Sequence, residues 1–331
     1  MLGMVTVAIA GGAFAISRSD GAGAPAAPPR RVFAFLSHAG GAELARLGQV
    51  GRRISVLAPN WYTLELDDGA ISPPSGTGPV ITAARRVGVP LWPVVNARTA
   101  GSAAIGDPVA RERAAQAIAR VAAQRGYAGV TLDIEELLPA QRDDFSALVA
   151  RVGQLVHADR RRLAVYVPRP TDVGSSLAYD LEALASAADL VVVSTYNEHA
   201  RGSSPGPLDS IDGFGHVLRR AAAVSRRRVA PILGAIGYSW PATGGGGALL
   251  SSVDGSRRRA HCRSGGRIAD GTASFACHGQ VVYYATGAGL RARARTVGAA
   301  GFRWMALFSL GREPRSFWDG MPNIRAKATQ P

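Results

Sequence analysis

The sequence predicts an α/β protein, a (β/α)8 TIM barrel with a small insertion after its seventh strand. Three observations predict it. Short apolar runs of strand length alternate with amphipathic stretches of helix length, the pattern of a parallel sheet covered by helices. Eight such strands follow one another, most of them starting roughly 20 to 40 residues apart, as βα units do. The chain has 331 residues and is 47% hydrophobic, enough for a large core and suited to closing all eight units into one barrel.

The elements follow in order. Val32–Leu36 is the first strand and Ala42–Val50 the helix after it. Ile54–Ala58 is the second strand, expected to stop at Pro59-Asn60-Trp61-Tyr62, and Asp67-Asp68-Gly69 makes a turn. A helix over Val80–Val87 leads to a third strand over Val89–Val95, whose prolines mark strand ends. Asp107 caps the next helix, Pro108 occupies its first turn, and Gly126 lies just past its end. The fourth strand is Gly129–Glu135. Pro139 opens a helix in which Phe145, Leu148, Val149, Val152, Leu155 and Val156 recur at i, i+3, i+4, i+7. Leu163–Val167, Asp189–Tyr196, Val229–Ile236 and Phe302–Leu310 complete the strands, with helices over Tyr179–Ala187, Ile211–Val224 and Leu290–Ala299. The long gap from 241 to 280 is read as an inserted subdomain at the mouth of the barrel. The barrel as a whole spans 31–320, followed by a tail over 321–331.

Composition narrows the class. The formal net charge is +14, carried almost wholly by arginine because Lys327 is the single lysine. The charge is spread thinly and accompanies no nucleic-acid-binding motif, so no nucleic-acid partner is expected, and affinity for an anionic matrix such as a cell wall is the reading it allows. No cofactor or metal motif is evident, and no obligate protein partner. Residues 1–30 are expected to be a signal peptide or N-terminal anchor plus tether. Leu2–Ile16 is uncharged and apolar, Ala13-Phe14-Ala15 fits a small-x-small cleavage site, and Ser17–Arg30 is small and Pro-rich. A secreted or envelope-associated protein is therefore expected. Cys262 and Cys277, an even count in an exported chain, suggest a disulfide, with reduced thiols or a Cys/His site including His261 and His278 as the alternatives.

The fourth strand carries the chemistry. Val130, Leu132 and Ile134 alternate with Thr131, Asp133 and Glu135, so the three polar side chains share one face. Two carboxylates so placed disfavour each other's ionisation and tend to hold one proton between them, which is a starting point for an acid catalyst. An isolated D-x-E is more plainly a solvated strand end or a helix cap. In a barrel, however, strand ends are where chemistry is placed. Tyr196 and Asn197 end the sixth strand, Phe308 lies near the end of the eighth, and Trp61 follows the second.

Gly126–Glu135 resembles the D-G-x-D-x-D-x-E signature of family 18 glycoside hydrolases. It is most similar to the bacterial peptidoglycan-directed branch of spore-germination and spore-cortex hydrolases, where the strand reads like DGVNIDFE. Ala58–Tyr62 with Asp68-Gly69 resembles that branch's P-x-W-Y…DG. Ala178-Tyr179-Asp180 and Ser194–His199 resemble AYD…MTYDEH, and Pro205-Gly206-Pro207 the PGP that follows. Leu233–Trp240 resembles LGIPLYGYDW, and Ala306–Gly311 resembles ALWRLG. The resemblance runs in order over about residues 32 to 320.

It implies a retaining hydrolase of β-1,4 bonds in N-acetylated polysaccharide, peptidoglycan or chitin, by the substrate-assisted route. Glu135 matches the general acid. Asp133 matches the residue that orients the substrate acetamido group, and Tyr196 the hydroxyl donor to its oxygen. Thr131, Asn197, Trp61, Tyr238 and Phe308 are then expected near the substrate. Four positions depart from the pattern. Ala128 and Thr131 replace aspartates, Asn197 follows the tyrosine where Asp is usual, and Phe308 replaces a tryptophan. These departures set a catalytically weak or inactive, lectin-like glycan-binding barrel beside the enzyme as the alternative.

Overall fold

The structure is a computed structural model in which residues 27–98, 103–125, 127–171, 173–262 and 266–322 are described. The apolar stretch Leu2–Ile16, the expected cleavage site, the start of the tether, Gly126 and the end of the tail lie outside these residues. The strands in chain order are β1 (Arg31–Leu36), β2 (Val56–Leu64), β3 (Ile71–Ser72), β4 (Val94–Arg98), β5 (Gly129–Glu135), β6 (Arg162–Val167), β7 (Leu190–Ser194), β8 (Val229–Gly234), β9 (Ile236–Pro241), β10 (Ala248–Ser251), β11 (Arg267–Ala269), β12 (Thr272–Cys277), β13 (Gln280–Ala285) and β14 (Trp304–Phe308). The helices are α1 (Gly41–Val50), α2 (Gly78–Val87), α3 (Pro108–Arg125), α4 (Arg142–Ala158), α5 (Leu181–Ala187), α6 (Ile211–Val224), α7 (Ser252–His261) and α8 (Gly287–Ala299).

Eight strands pair in parallel in the order β1-β14-β8-β7-β6-β5-β4-β2, and β2 pairs back onto β1, so the sheet closes on itself. This is the (β/α)8 barrel. Its strands are apolar on both faces because one packs inside the barrel and the other against helices; β7 and β8 are buried at every position. The caps follow the sequence signals. Asp107 accepts from the backbone N–H groups of Val109 and Ala110, and Asp180 from those of Glu182 and Ala183.

Three limits differ from the sequence expectation. The second strand does not stop at Pro59; it continues to Leu64, with a register shift between Asn60 and Tyr62 against β4. A bulge of this kind tolerates the missing proline donor. The third strand begins at Val94 and runs to Arg98. The apolar run at the seventh strand is two strands. β8 ends at Gly234, Ala235 donates to the Phe308 carbonyl at 2.6 Å, and β9 leaves at Ile236 into a second sheet. The insertion is correspondingly wider than 241–280. It is a five-stranded antiparallel sheet, β10-β9-β13-β12-β11, reaching from Ile236 to Ala285, with α7 packed beside it.

A small apolar cluster of Leu250, Ala273, Phe275, Val282 and Tyr284 fills the insertion, and the Cys262–Cys277 disulfide closes against it with a Cα–Cα distance of 5.8 Å. With its ends 15 positions apart in sequence, this bond restricts the unfolded chain by about 3 kcal/mol on the loop-entropy model. Replacing both cysteines by serine is expected to lower stability by roughly that amount, read as a fall in the thermal midpoint that reductant reproduces in the parent protein and does not deepen in the variant.

Candidate active site

The polar face of β5 rises from the barrel interior to its mouth. Thr131 is fully buried, while Asp133 and Glu135 are half-buried. Register places Asp133 opposite Asn96 and Glu135 opposite Arg98 on β4. The end of β5 is tied down from the other side by Tyr179, whose phenol donates to the Ile134 carbonyl at 2.9 Å. That carbonyl lies between the two acids, so the Ala178-Tyr179-Asp180 segment has a local purpose. Tyr179 fixes the strand end, and Asp180 starts α5 and pairs with Arg142 at 2.7 Å. Immediately after Glu135 the chain turns through Glu136 at φ 61°, in the left-handed region that L-residues seldom enter.

Asp133, Glu135, Tyr196, Asn197, Tyr238 and Phe308 line one cleft of about 380 Å³. Four elements bring them there, β5, the end of β7, β9 and the end of β14, and β2 and β4 add Asn60 and Asn96. Asn96 donates to Asn60 at 2.7 Å across the top of those strands. Aromatic rings form a continuous wall. Tyr166 meets Phe35 edge-on at 6.4 Å, Phe35 meets Phe308 at 5.9 Å, and Phe308 meets Tyr196 at 6.1 Å with a tilt of 34°. Gly234 on β8 makes room for this wall, since a Cβ there would lie 3.0 Å from the Tyr196 ring.

Asn197 is exposed and takes φ 74°. Asn enters the left-handed region more readily than most residues, so the turn after Tyr196 has its own reason for asparagine. The loop beyond is pinned by Glu198, which accepts from Arg169 at 2.8 Å and from the Ser210 backbone N–H at 2.9 Å.

Two side chains expected beside substrate lie elsewhere. The Thr131 hydroxyl donates to the Trp92 carbonyl at 3.0 Å inside the barrel, below the cleft. Trp61 packs on Tyr127 at 6.0 Å, and Tyr62 bonds the same tyrosine hydroxyl to hydroxyl at 3.1 Å. The register shift between Asn60 and Tyr62 accounts for this, because an irregularity of one residue changes which face a side chain takes. Three polar residues of the cleft carry no local signal in the sequence. Tyr166 reads as one more apolar strand position, and Asn60 and Asn96 are isolated amides just past apolar runs.

The cleft keeps its phenols neutral. Burial, then the charges of Asp133 and Glu135 together with Tyr238, hold the Tyr196 phenol well above its ordinary pKa. Tyr166 is raised well above it by burial first and then by Tyr196, Asp133 and Glu135. Tyr196 is thus a hydrogen-bond donor throughout the neutral range. An anionic substrate group would meet two carboxylates here, whereas an uncharged polyhydroxylated chain meets donors, acceptors and ring faces.

No family model matches the chain. Among curated proteins it is 27% identical over 165 residues to a Bacillus subtilis protein named "Putative sporulation-specific glycosylase YdhD", a match covering 47% of this chain and 39% of that protein. The chain therefore spans about two-fifths of that relative's length. Among solved structures it is similar to a chitinase from Chromobacterium violaceum, with a TM-score of 0.79, 23% identity, and coverage of 90% of this chain and 99% of that one. It is also similar to the spore cortex-lytic enzyme SleL of Bacillus cereus, with a TM-score of 0.77, 14% identity, and coverage of 89% and 75%. These likenesses bear out the barrel fold.

The pKa directions carry a prediction. A phenol raised by burial stays neutral in the folded protein while the unfolded chain ionises near the ordinary value of 10.0. The contribution is fully present below that pH and is lost as pH rises above it. The thermal midpoint should therefore fall between about pH 9 and about pH 11. The fall should be shallower in a Tyr166→Phe/Tyr196→Phe double variant, measured by circular dichroism.

Proposed function

We propose that this protein is a glycoside hydrolase that cleaves β-1,4 bonds in N-acetylglucosamine-containing glycans by a substrate-assisted, retaining mechanism. One observation carries the proposal: Asp133, Glu135 and Tyr196, from two separate strand ends, converge on a single aromatic-walled cleft. A site that only bound sugar would have use for the rings and amides, and no need for paired acids with a neutral phenol beside them.

The chemistry follows from the roles. Glu135, protonated, gives its proton to the glycosidic oxygen as the bond to the leaving sugar breaks. The acetamido oxygen of the same substrate attacks the anomeric carbon, forming an oxazolinium ion in place of a covalent bond to the protein. Asp133 orients the acetamido group and balances its growing positive charge. Tyr196 donates to the acetamido oxygen. Water then opens the ring from the face the leaving group vacated, and Glu135 recovers its proton from that water. Phe308 and Tyr238 offer ring faces to the sugar.

Within this substrate class we favour peptidoglycan over chitin. The reading is supported by the sporulation and cortex-lytic names of the relatives and by the order of the sequence motifs. We place the protein outside the cytoplasm, a location that suits both the apolar stretch Leu2–Ile16 and a disulfide.

The test is release of reducing ends from purified peptidoglycan and from chitin oligomers. The parent protein is expected to be active on at least one. Glu135→Gln, which keeps the shape and removes the acid, is expected to lose on the order of 100-fold or more in turnover while glycan affinity is retained. Equal absence of activity in both proteins, with binding intact, would replace the hydrolase by a glycan-binding barrel.

A further inference from the structure

At the opposite end of the barrel from the cleft is a second and larger concavity, of about 810 Å³. Its origin is legible in the strand starts. In a parallel barrel all strands begin at one end, so residues at or just before those starts form a ring. Here the ring is arginine: Arg160, Arg161 and Arg162 lead into β6, Arg227 and Arg228 precede β8, and Arg31 and Arg303 stand at the starts of β1 and β14. Among the described residues, Asp189 is the one acidic residue lining the cavity. Its carboxylate is already engaged by Arg162 at 2.6 Å, His157 at 2.8 Å and the Leu163 backbone N–H at 2.9 Å.

The ring is therefore left with uncompensated positive charge. Arg160, Arg227 and Arg303 are exposed, and no carboxylate pairs with their side chains among the described residues. The Nε of Arg161 is buried and has no hydrogen-bond partner there. Arg31 lies over the Trp304 ring at 5.1 Å, and burial together with the Arg303 charge lowers its pKa. Like charges gathered in a concave site raise the free energy of the empty protein and are relieved by an anion. Guanidinium groups suit phosphate in particular, because the planar fork engages two oxygens at once.

The path of the chain chooses among sources of phosphate. Ala27, Pro28, Pro29 and Arg30 line a neighbouring hollow with Gly298, Gly301 and Phe302, so the chain enters the barrel at this same end. Ten residues further toward the N-terminus is the uncharged apolar stretch Leu2–Ile16. Ten residues span at most about 35 Å. An apolar segment of the same polypeptide is thus held within reach of the arginine face, as at a bilayer surface. We propose that the arginine-ringed end of the barrel docks on anionic phospholipid, with headgroup phosphates entering the cavity. The candidate cleft, at the far end, then faces away from the membrane.

The test uses the full chain and sedimentation with vesicles of phosphatidylcholine alone or of phosphatidylcholine mixed with phosphatidylglycerol. The parent protein should bind the mixed vesicles more tightly than the neutral ones, and added salt should erase the difference. The Arg160→Gln/Arg227→Gln/Arg303→Gln variant should lose roughly 100-fold of that anionic preference, at about a factor of five per arginine. It should keep its binding to neutral vesicles and its hydrolysis of soluble glycan oligomers, so failure of this proposal is distinguishable from failure of the hydrolase reading. A control variant, Arg120→Gln/Arg219→Gln/Arg295→Gln on outer helix faces, should keep the preference. An unchanged preference in the first variant would overturn the proposal. So would tight binding of inorganic polyphosphate without any preference for anionic vesicles, which would assign the ring to a free polyanion.

Discussion

The structure depends on one constraint: two carboxylates must be carried on the same face of a strand that is otherwise core. Val130, Leu132 and Ile134 are buried completely, and they fix β5 between β4 and β6. The alternation of a strand then leaves Asp133 and Glu135 no choice of face. Placing acids in a packed barrel is costly unless they stand at its rim and are surrounded by polar partners. That condition is met by the mouth of the barrel, by Asn96 opposite Asp133, and by phenols that stay neutral.

The neighbouring elements read as answers to that constraint. Tyr179 holds the carbonyl between the acids. Glu136 and Asn197 take left-handed backbone so that the chain leaves the rim as soon as Glu135 and Tyr196 are placed. Gly234 forgoes a side chain beside the Tyr196 ring, and β9 departs at once into the insertion, bringing Tyr238 over the cleft. Charge is divided between the two ends of the barrel, with carboxylates at the mouth and arginines at the base. The same closure that assembles the cleft from strand ends assembles the arginine ring from strand beginnings.

Much of this was legible in the amino-acid order, and the failures have physical causes. Alternation and spacing carry the eight strands and the polar face of β5, because both depend on local periodicity. Asn60, Asn96 and Tyr166 are invisible locally, since an amide after an apolar run has no signature until the closed sheet brings three strands together. Thr131 shares a face with Asp133 without sharing its depth, so it does not reach the cleft, and its hydroxyl donates to the Trp92 carbonyl instead. Trp61 turned out to face Tyr127 through a register shift that no pattern of residue types announces. The break at Ala235 is hidden because an unbroken apolar run serves two strands as well as one.

In the proposed reaction, Glu135 acts on a glycan whose own acetamido group, oriented by Asp133, is the nucleophile. Proton NMR of a chitin or peptidoglycan oligomer during the first minutes of cleavage tests it most directly, before the product anomers equilibrate. With the acetamido group as nucleophile, the β-anomer should form first and the same oligomer stripped of its acetyl groups should not be cut. First formation of the α-anomer, or equal cleavage of the deacetylated chain, would contradict it.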